Sequence, residues 1–130
     1  MFTSVSPSAH EGLLVLVVED EFLIAEEMVA VLEDAGHTVL GPAGSLSAAE
    51  AVLSHPPKPD VAVLDANLRG ETSAALAATM RTIGVPFCVC TGYRISDLQA
   101  LFGDVVTLRK PIDPKKLLQT IADLAQNRAV

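Results

Sequence analysis

The sequence predicts an α/β fold, a (βα)5 doubly wound sheet of five parallel strands in the order 2-1-3-4-5. Two observations lead there. Short, nearly unbroken apolar runs, such as Leu13–Val18 and Val61–Leu64, alternate with longer stretches whose apolar residues recur every three or four positions. Strands covered on both faces read as continuous apolar runs, and the intervening helical period supplies the crossovers. Right-handed crossovers then bring the C-terminal ends of all five strands to one side of the sheet.

The first strand, Leu13–Val18, is followed at once by Glu19 and Asp20. From Phe22 to Ala35, the residues Ile24, Met28, Val31 and Ala35, beside Phe22, Ala25, Val29 and Leu32, make one broad helical face. Glu26, Glu27, Glu33 and Asp34 are left for solvent, and Gly36 stops the helix. Thr38–Ala43 is a short second strand whose end is marked by Gly41-Pro42. Ser47-Ala48-Ala49-Glu50 has the form of a capping box and opens a second helix that ends before Pro56-Pro57. Asp60 precedes the third strand, Val61–Leu64, which Asp65 closes. Asn67-Leu68-Arg69-Gly70 reads as a loop, and a helix runs from about Thr72 to Ile83 with Leu76, Met80 and Ile83 on one side. The fourth strand, Pro86–Cys90, closes on Thr91. Between Gly92 and Asp104 the residues Leu98, Leu101 and Phe102 support at most a short helix, ended by Gly103. Val105–Leu108 is the fifth strand, followed by Lys110. Asp113-Pro114 is an N-cap and first-turn pair for a last helix carrying Leu117, Leu118, Ile121, Leu124 and Ala125.

A chain of 130 residues is long enough for one good core. Residues 12–128 are expected to form that single domain behind a flexible leader, residues 1–11. Half the residues are apolar and 19% charged, which excludes a disordered chain. The net charge of −7, with no basic stripe, argues against direct nucleic-acid binding. The apolar runs fall well short of the ~20 residues that cross a bilayer, and the leader has neither the positive start nor the apolar core of a signal peptide. A cytoplasmic location without a membrane partner is the expectation. Cys88 and Cys90 point to the same face of their strand and read as small buried hydrophobes. The scattered His10, His37 and His55 support neither a catalytic triad nor a zinc site.

Chemistry gathers at the strand ends. Open α/β sheets bind ligands beyond the carboxyl ends of their strands, at the switch point where strand order reverses, here between the first and third strands. Glu19, Asp20 and Asp65 meet there. Two carboxylates about 4 Å apart repel by roughly 4 kcal/mol at an effective dielectric near 20, so such a cluster either keeps a proton or takes a divalent cation. Mg²⁺, or Mn²⁺, suits one or two carboxylates plus phosphate oxygens. Asp65 can then act as a nucleophile toward phosphorus, Lys110 as a point charge, and the Thr91 hydroxyl as a donor to a phosphoryl oxygen.

The same residues carry a family resemblance. Val17-Val18-Glu19-Asp20-Glu21, Leu64-Asp65 with Asn67 two residues on, Thr91-Gly92 and Lys110-Pro111 resemble the signature of response-regulator receiver domains of two-component signalling, over roughly Leu13 to Leu124. The resemblance implies a flavodoxin- or CheY-like fold. It implies that Asp65 accepts a phosphoryl group from a histidine kinase or histidine phosphotransfer protein. It further implies that Asp20, Asp65 and the Asn67 backbone carbonyl bind Mg²⁺ while Glu19 acts through a metal-bound water, that Thr91 and Lys110 contact the phosphoryl group, and that the Lys110-Pro111 bond is cis. Most receivers carry an aromatic residue three positions before the lysine, where this chain has Thr107. Pro86-Phe87-Cys88-Val89-Cys90-Thr91-Gly92-Tyr93 is instead similar to the PFxFATG(Y) pattern of the "FAT GUY" subfamily of mostly stand-alone receivers. Thr91, Tyr93, Thr107 and Pro111 are accordingly the expected switch residues, with Tyr93 moving in place of the missing aromatic and the segment from Gly92 to Gly103 reorganising.

The sequence therefore points to a single-domain response regulator that relays or sinks phosphoryl groups or switches the binding of a downstream protein, as a monomer or weak dimer. It would be a phosphoacceptor and not an enzyme. The alternative is a Mg²⁺-dependent phosphatase with an aspartyl nucleophile. Such enzymes place a second acid two residues after the nucleophile, where this chain has Asn67.

Overall fold

Alternation along the strands decides the architecture. In the computed structural model, which describes residues 12–92 and 95–127, the chain runs β1 (Leu14–Val18), α1 (Phe22–Asp34), β2 (Thr38–Ala43), α2 (Leu46–Leu53), β3 (Val61–Asp65), β4 (Asn67–Leu68), β5 (Glu71–Thr72), α3 (Ala74–Ile83), β6 (Phe87–Thr91), α4 (Ile95–Phe102), β7 (Val106–Arg109) and α5 (Pro114–Asn127). The leader and Tyr93 lie outside the described residues. Successive strand side chains point to opposite faces, so each strand feeds two cores. Val15, Val17, Val61, Val63, Cys88 and Cys90 pack with Met28 and Leu32 of α1 and Leu117 and Ile121 of α5. Leu16, Val18, Ala62, Leu64, Phe87 and Val89 pack with Ala49 of α2, Leu76 and Met80 of α3, and Leu98 and Phe102 of α4. Both cysteines are free and fully buried.

The five-stranded sheet has the order β2-β1-β3-β6-β7, and every pairing in it is parallel. Leaving aside the two short strands of a separate ribbon, this is the expected 2-1-3-4-5. Along β1 and β2 the register slips between Leu16 and Val18. Gly41 stands at that irregularity with φ 92°; a Cβ there would lie 2.7 Å from the Ala43 nitrogen and 2.9 Å from the Val17 carbonyl oxygen. Only glycine fits both the left-handed backbone and the close approach.

Four expectations need correction. The N-cap of α2 is Ser45, two residues before the expected capping box; its hydroxyl accepts from the Ala48 N–H at 3.1 Å. The expected loop at residues 67–70 is one side of an antiparallel ribbon, β4 against β5, closed by Arg69 and Gly70, which both have positive φ. The following helix starts at Ala74, because Glu71 and Thr72 are taken up by that ribbon. Phe22 and Leu101, placed with the apolar residues of their helices, are 71% and 55% exposed. At the C-terminal end of α4, Arg81 of α3 donates to the Phe102 carbonyl and lies over the Phe87 ring.

Candidate functional site

Each chemical residue of the site hangs on a strand end that the sheet's own hydrogen bonding fixes. Beyond β1, the Glu19 N–H donates to Ala43 O at 2.9 Å; beyond β3, the Ala66 N–H donates to Cys90 O at 2.9 Å; beyond β7, the Lys110 N–H donates to Thr91 O at 2.8 Å. The wholly buried Ser73 adds a fourth tie, its hydroxyl donating to the Asp65 carbonyl at 2.7 Å. Glu19, Asp65 and Thr91 are all buried, while Asp20 and Lys110 are partly exposed.

The side chains converge. Lys110 Nζ lies 2.9 Å from Glu19 Oε1, 3.1 Å from Asp65 Oδ2 and 3.9 Å from Glu21 Oε1. Asp65 Oδ1 accepts the Asn67 N–H at 3.2 Å, and Glu19 Oε2 accepts the Glu21 N–H at 3.0 Å. Asp20 Oδ2 accepts the Arg69 N–H at 3.0 Å, so the β4–β5 ribbon is tied across to the first strand's end. The Asn67 amide oxygen accepts the Gly70 N–H at 2.9 Å and braces the ribbon's turn. Together Asp20, Glu21, Asp65, Asn67, Arg69, Gly70, Gly92 and Lys110 line an open cavity of about 330 Å³.

Burial and crowding shape the electrostatics. Burial raises the Glu19 carboxyl to about 7, with the hydrogen bond to Asp65 and that residue's charge adding to the rise; Lys110 and the Glu21 N–H oppose it. Burial alone would lower the Lys110 ammonium, but Glu19 and Asp65 outweigh it and hold the group above its ordinary value. Glu19 Oε1 is buried, and the Lys110 ammonium 2.9 Å away is its partner. Glu19, Asp20 and Asp65 each offer an oxygen within 4.8 Å of the others. An all-oxygen acidic donor set of three clustered carboxylates fits a hard divalent cation such as Mg²⁺ or Mn²⁺.

Of the residues singled out from sequence, Glu19, Asp20, Asp65, Asn67, Thr91 and Lys110 come together at this end of the sheet. Thr107 does not: it is half-buried within β7, opposite Val89. Pro111 follows a cis peptide bond and turns toward a separate apolar groove beside α1 and α5. Three residues of the site were not anticipated. Ser73 and Arg69 act through hydrogen bonds to Asp65 and Asp20, and Glu21 brings a further carboxylate near Lys110. Only Glu21 left a signal, its place in the acidic run after the first strand.

A doubly wound parallel sheet with clustered acids, a buried threonine and a lysine on its C-terminal edge defines the receiver class of signalling domain. The family model described as the response regulator receiver domain matches residues 15–122, and the chain belongs to that family. Over 81 residues the chain is 32% identical to the Phyllosphere-induced regulator PhyR of Methylorubrum extorquens, a match covering 61% of this chain and 30% of that protein. The chain thus spans about a third of that curated relative's length. A response regulator receiver protein from Sinorhizobium medicae superposes with a TM-score of 0.81 at 22% identity, covering 91% of this chain and 98% of that one. The anti-anti-sigma factor PhyR of Bartonella quintana superposes with a TM-score of 0.76 at 22% identity, covering 91% of this chain and 50% of that one. These two structures share the fold.

Proposed function

We propose that this receiver accepts a phosphoryl group on Asp65 from a histidine kinase or histidine phosphotransfer protein. The observation that carries the reading is the convergence of Glu19, Asp20 and Asp65 within 4.8 Å, with the Lys110 ammonium between Glu19 and Asp65. Asp20, Asp65 and the Asn67 backbone carbonyl would hold Mg²⁺ (or Mn²⁺), with Glu19 acting through water. The ion supplies charge neutralisation for the phosphoryl oxygens. An Asp65 carboxylate oxygen attacks phosphorus; the P–N bond of the phosphohistidine breaks and the imidazole leaves with its electron pair. Lys110 balances the new negative charge, and the Thr91 hydroxyl donates to a phosphoryl oxygen.

The receiver then acts in the manner of the "FAT GUY" type, relaying or sinking phosphoryl groups or switching a downstream protein partner. PhyR of Bartonella quintana is by its name an anti-anti-sigma factor, which supports the partner-switching form. Thr91 and Tyr93 are the switch residues in this reading, in place of an aromatic residue at Thr107. A cytoplasmic location accords with the finding that no helix among the described residues is long and apolar enough to cross a membrane. The phosphatase alternative is weakened by Asn67, which is no acid and whose amide oxygen is engaged with Gly70.

Incubation with acetyl phosphate and Mg²⁺, read by intact mass, tests the proposal. One added phosphoryl group is expected on the wild type and none on Asp65→Asn. Labelling that survives Asp65→Asn, or a wild type that never labels, refutes it.

A further inference from the structure

Lys110 is not the only cation on this cavity. Arg69 also lines it, on the side of the β4–β5 ribbon. Its backbone lies at φ 52°, the one positive φ at a non-glycine among the described residues. Such conformations are costly for a side-chain-bearing residue and gather at functional positions. From this turn the guanidinium folds back toward the loop after β2: its Nη2 lies 3.7 Å from where a Cβ on Gly44 would stand, a point itself 3.9 Å from the Asp20 Cα. Its head therefore lies over the loop after β2 at the rim of the cavity, on an exposed side chain, and every carboxylate ion pair in the site belongs to Lys110 and none to Arg69. Among the described residues the guanidinium has no hydrogen-bonding partner; only the Arg69 backbone N–H is engaged, with Asp20. A permanently charged planar fork suited to phosphate oxygens thus borders the pocket unspent.

Resting on the phosphoryl-acceptor reading above, we propose that Arg69 is a second phosphoryl-binding residue, reaching the incoming group from the β4–β5 ribbon at the cavity rim. It cannot give up its proton, so it contributes charge and hydrogen bonds and no acid–base step. In the transfer from acetyl phosphate, the P–O bond to acetate breaks, the bond from P to an Asp65 oxygen forms, and acetate leaves with the electron pair. Arg69 offsets the negative charge that accumulates on the phosphoryl oxygens during that exchange.

The test compares wild type, Arg69→Ala, Arg69→Lys and Lys115→Ala, an equal charge loss on α5 outside the cavity lining. Three quantities are measured: Mg²⁺ affinity alone, beryllofluoride affinity in saturating Mg²⁺, and the initial rate of acetyl phosphate labelling by intact mass. Arg69→Ala is expected to weaken beryllofluoride binding and slow labelling by about tenfold, the loss of one charge-assisted hydrogen bond. Mg²⁺ affinity should stay level or tighten, since a nearby positive charge has been removed. Arg69→Lys should fall in between, and Lys115→Ala should match the wild type. Unchanged beryllofluoride binding and labelling in Arg69→Ala overturns the proposal. A parallel loss of Mg²⁺ affinity also overturns it, because that would mean the ribbon merely holds Asp20 in place. A wild type that does not label overturns the phosphoryl-acceptor reading itself, and this proposal with it.

Discussion

Replacing Glu19 by Gln isolates one term of this protein's stability. The carboxyl ordinarily titrates at 4.5 and in the fold at about 7. Between those two values the folded chain keeps a proton that the unfolded chain has released, so folding stability falls as pH rises through the interval. At about 1.4 kcal/mol for each pH unit, the loss comes to about 3 kcal/mol. The Glu19 side chain is wholly buried, so solvent screening does not dilute this figure. Glutamine keeps the shape and has no proton to release. Urea unfolding in the presence of a chelator, followed by far-UV circular dichroism at a series of pH values, gives the stability difference between the two proteins. Relative to wild type, Glu19→Gln should gain about 3 kcal/mol between pH 4.5 and pH 8. A difference that stays flat across the series would refute the claim that burial and Asp65 keep this carboxyl protonated near neutrality. In wild type the same proton must leave before all three acids can share a cation, so Mg²⁺ affinity should climb up to about pH 7 and level off above it.

Two further outcomes follow from the geometry. Ser73→Ala removes a buried 2.7 Å hydrogen bond to the Asp65 carbonyl and should cost about 1–3 kcal/mol in chemical denaturation. Gly41→Ala places a methyl against the Ala43 nitrogen and the Val17 carbonyl at a left-handed backbone position. It should cost about 2 kcal/mol or more, seen as a lowered thermal midpoint, whereas Gly12→Ala, with open space around it, should cost less.

Much of this architecture was legible in the amino-acid order because parallel strands covered on both faces leave an unmistakable trace. Val15 to Val18 and Val61 to Leu64 are apolar at every position because both core layers claim alternate residues. The acids and the lysine were legible for a related reason: the residue that follows such a run must emerge at the sheet's edge. The β4–β5 ribbon left no trace, since two residues per strand are too few to show a period. Ser45 and Ser47 offered two starts for α2, and the structure takes the earlier one, with the Ser45 hydroxyl on the Ala48 N–H and Leu46 packed against the core. Ser73 and Arg69 were invisible because their partners, Asp65 and Asp20, lie 8 and 49 residues away in the chain.

The ties around Asp65 and Asp20 are unequal in kind. Asp65 sits at the end of a central strand, locked from both neighbours by a sheet whose interior scarcely opens to solvent. Asp20 is steadied from across the pocket by one amide of a ribbon only two residue pairs long. Deuterium should therefore enter the backbone at residues 67–72 long before it reaches 61–65 or 87–91. One wall of the pocket can loosen to admit or release a ligand while the wall bearing the nucleophile keeps its place.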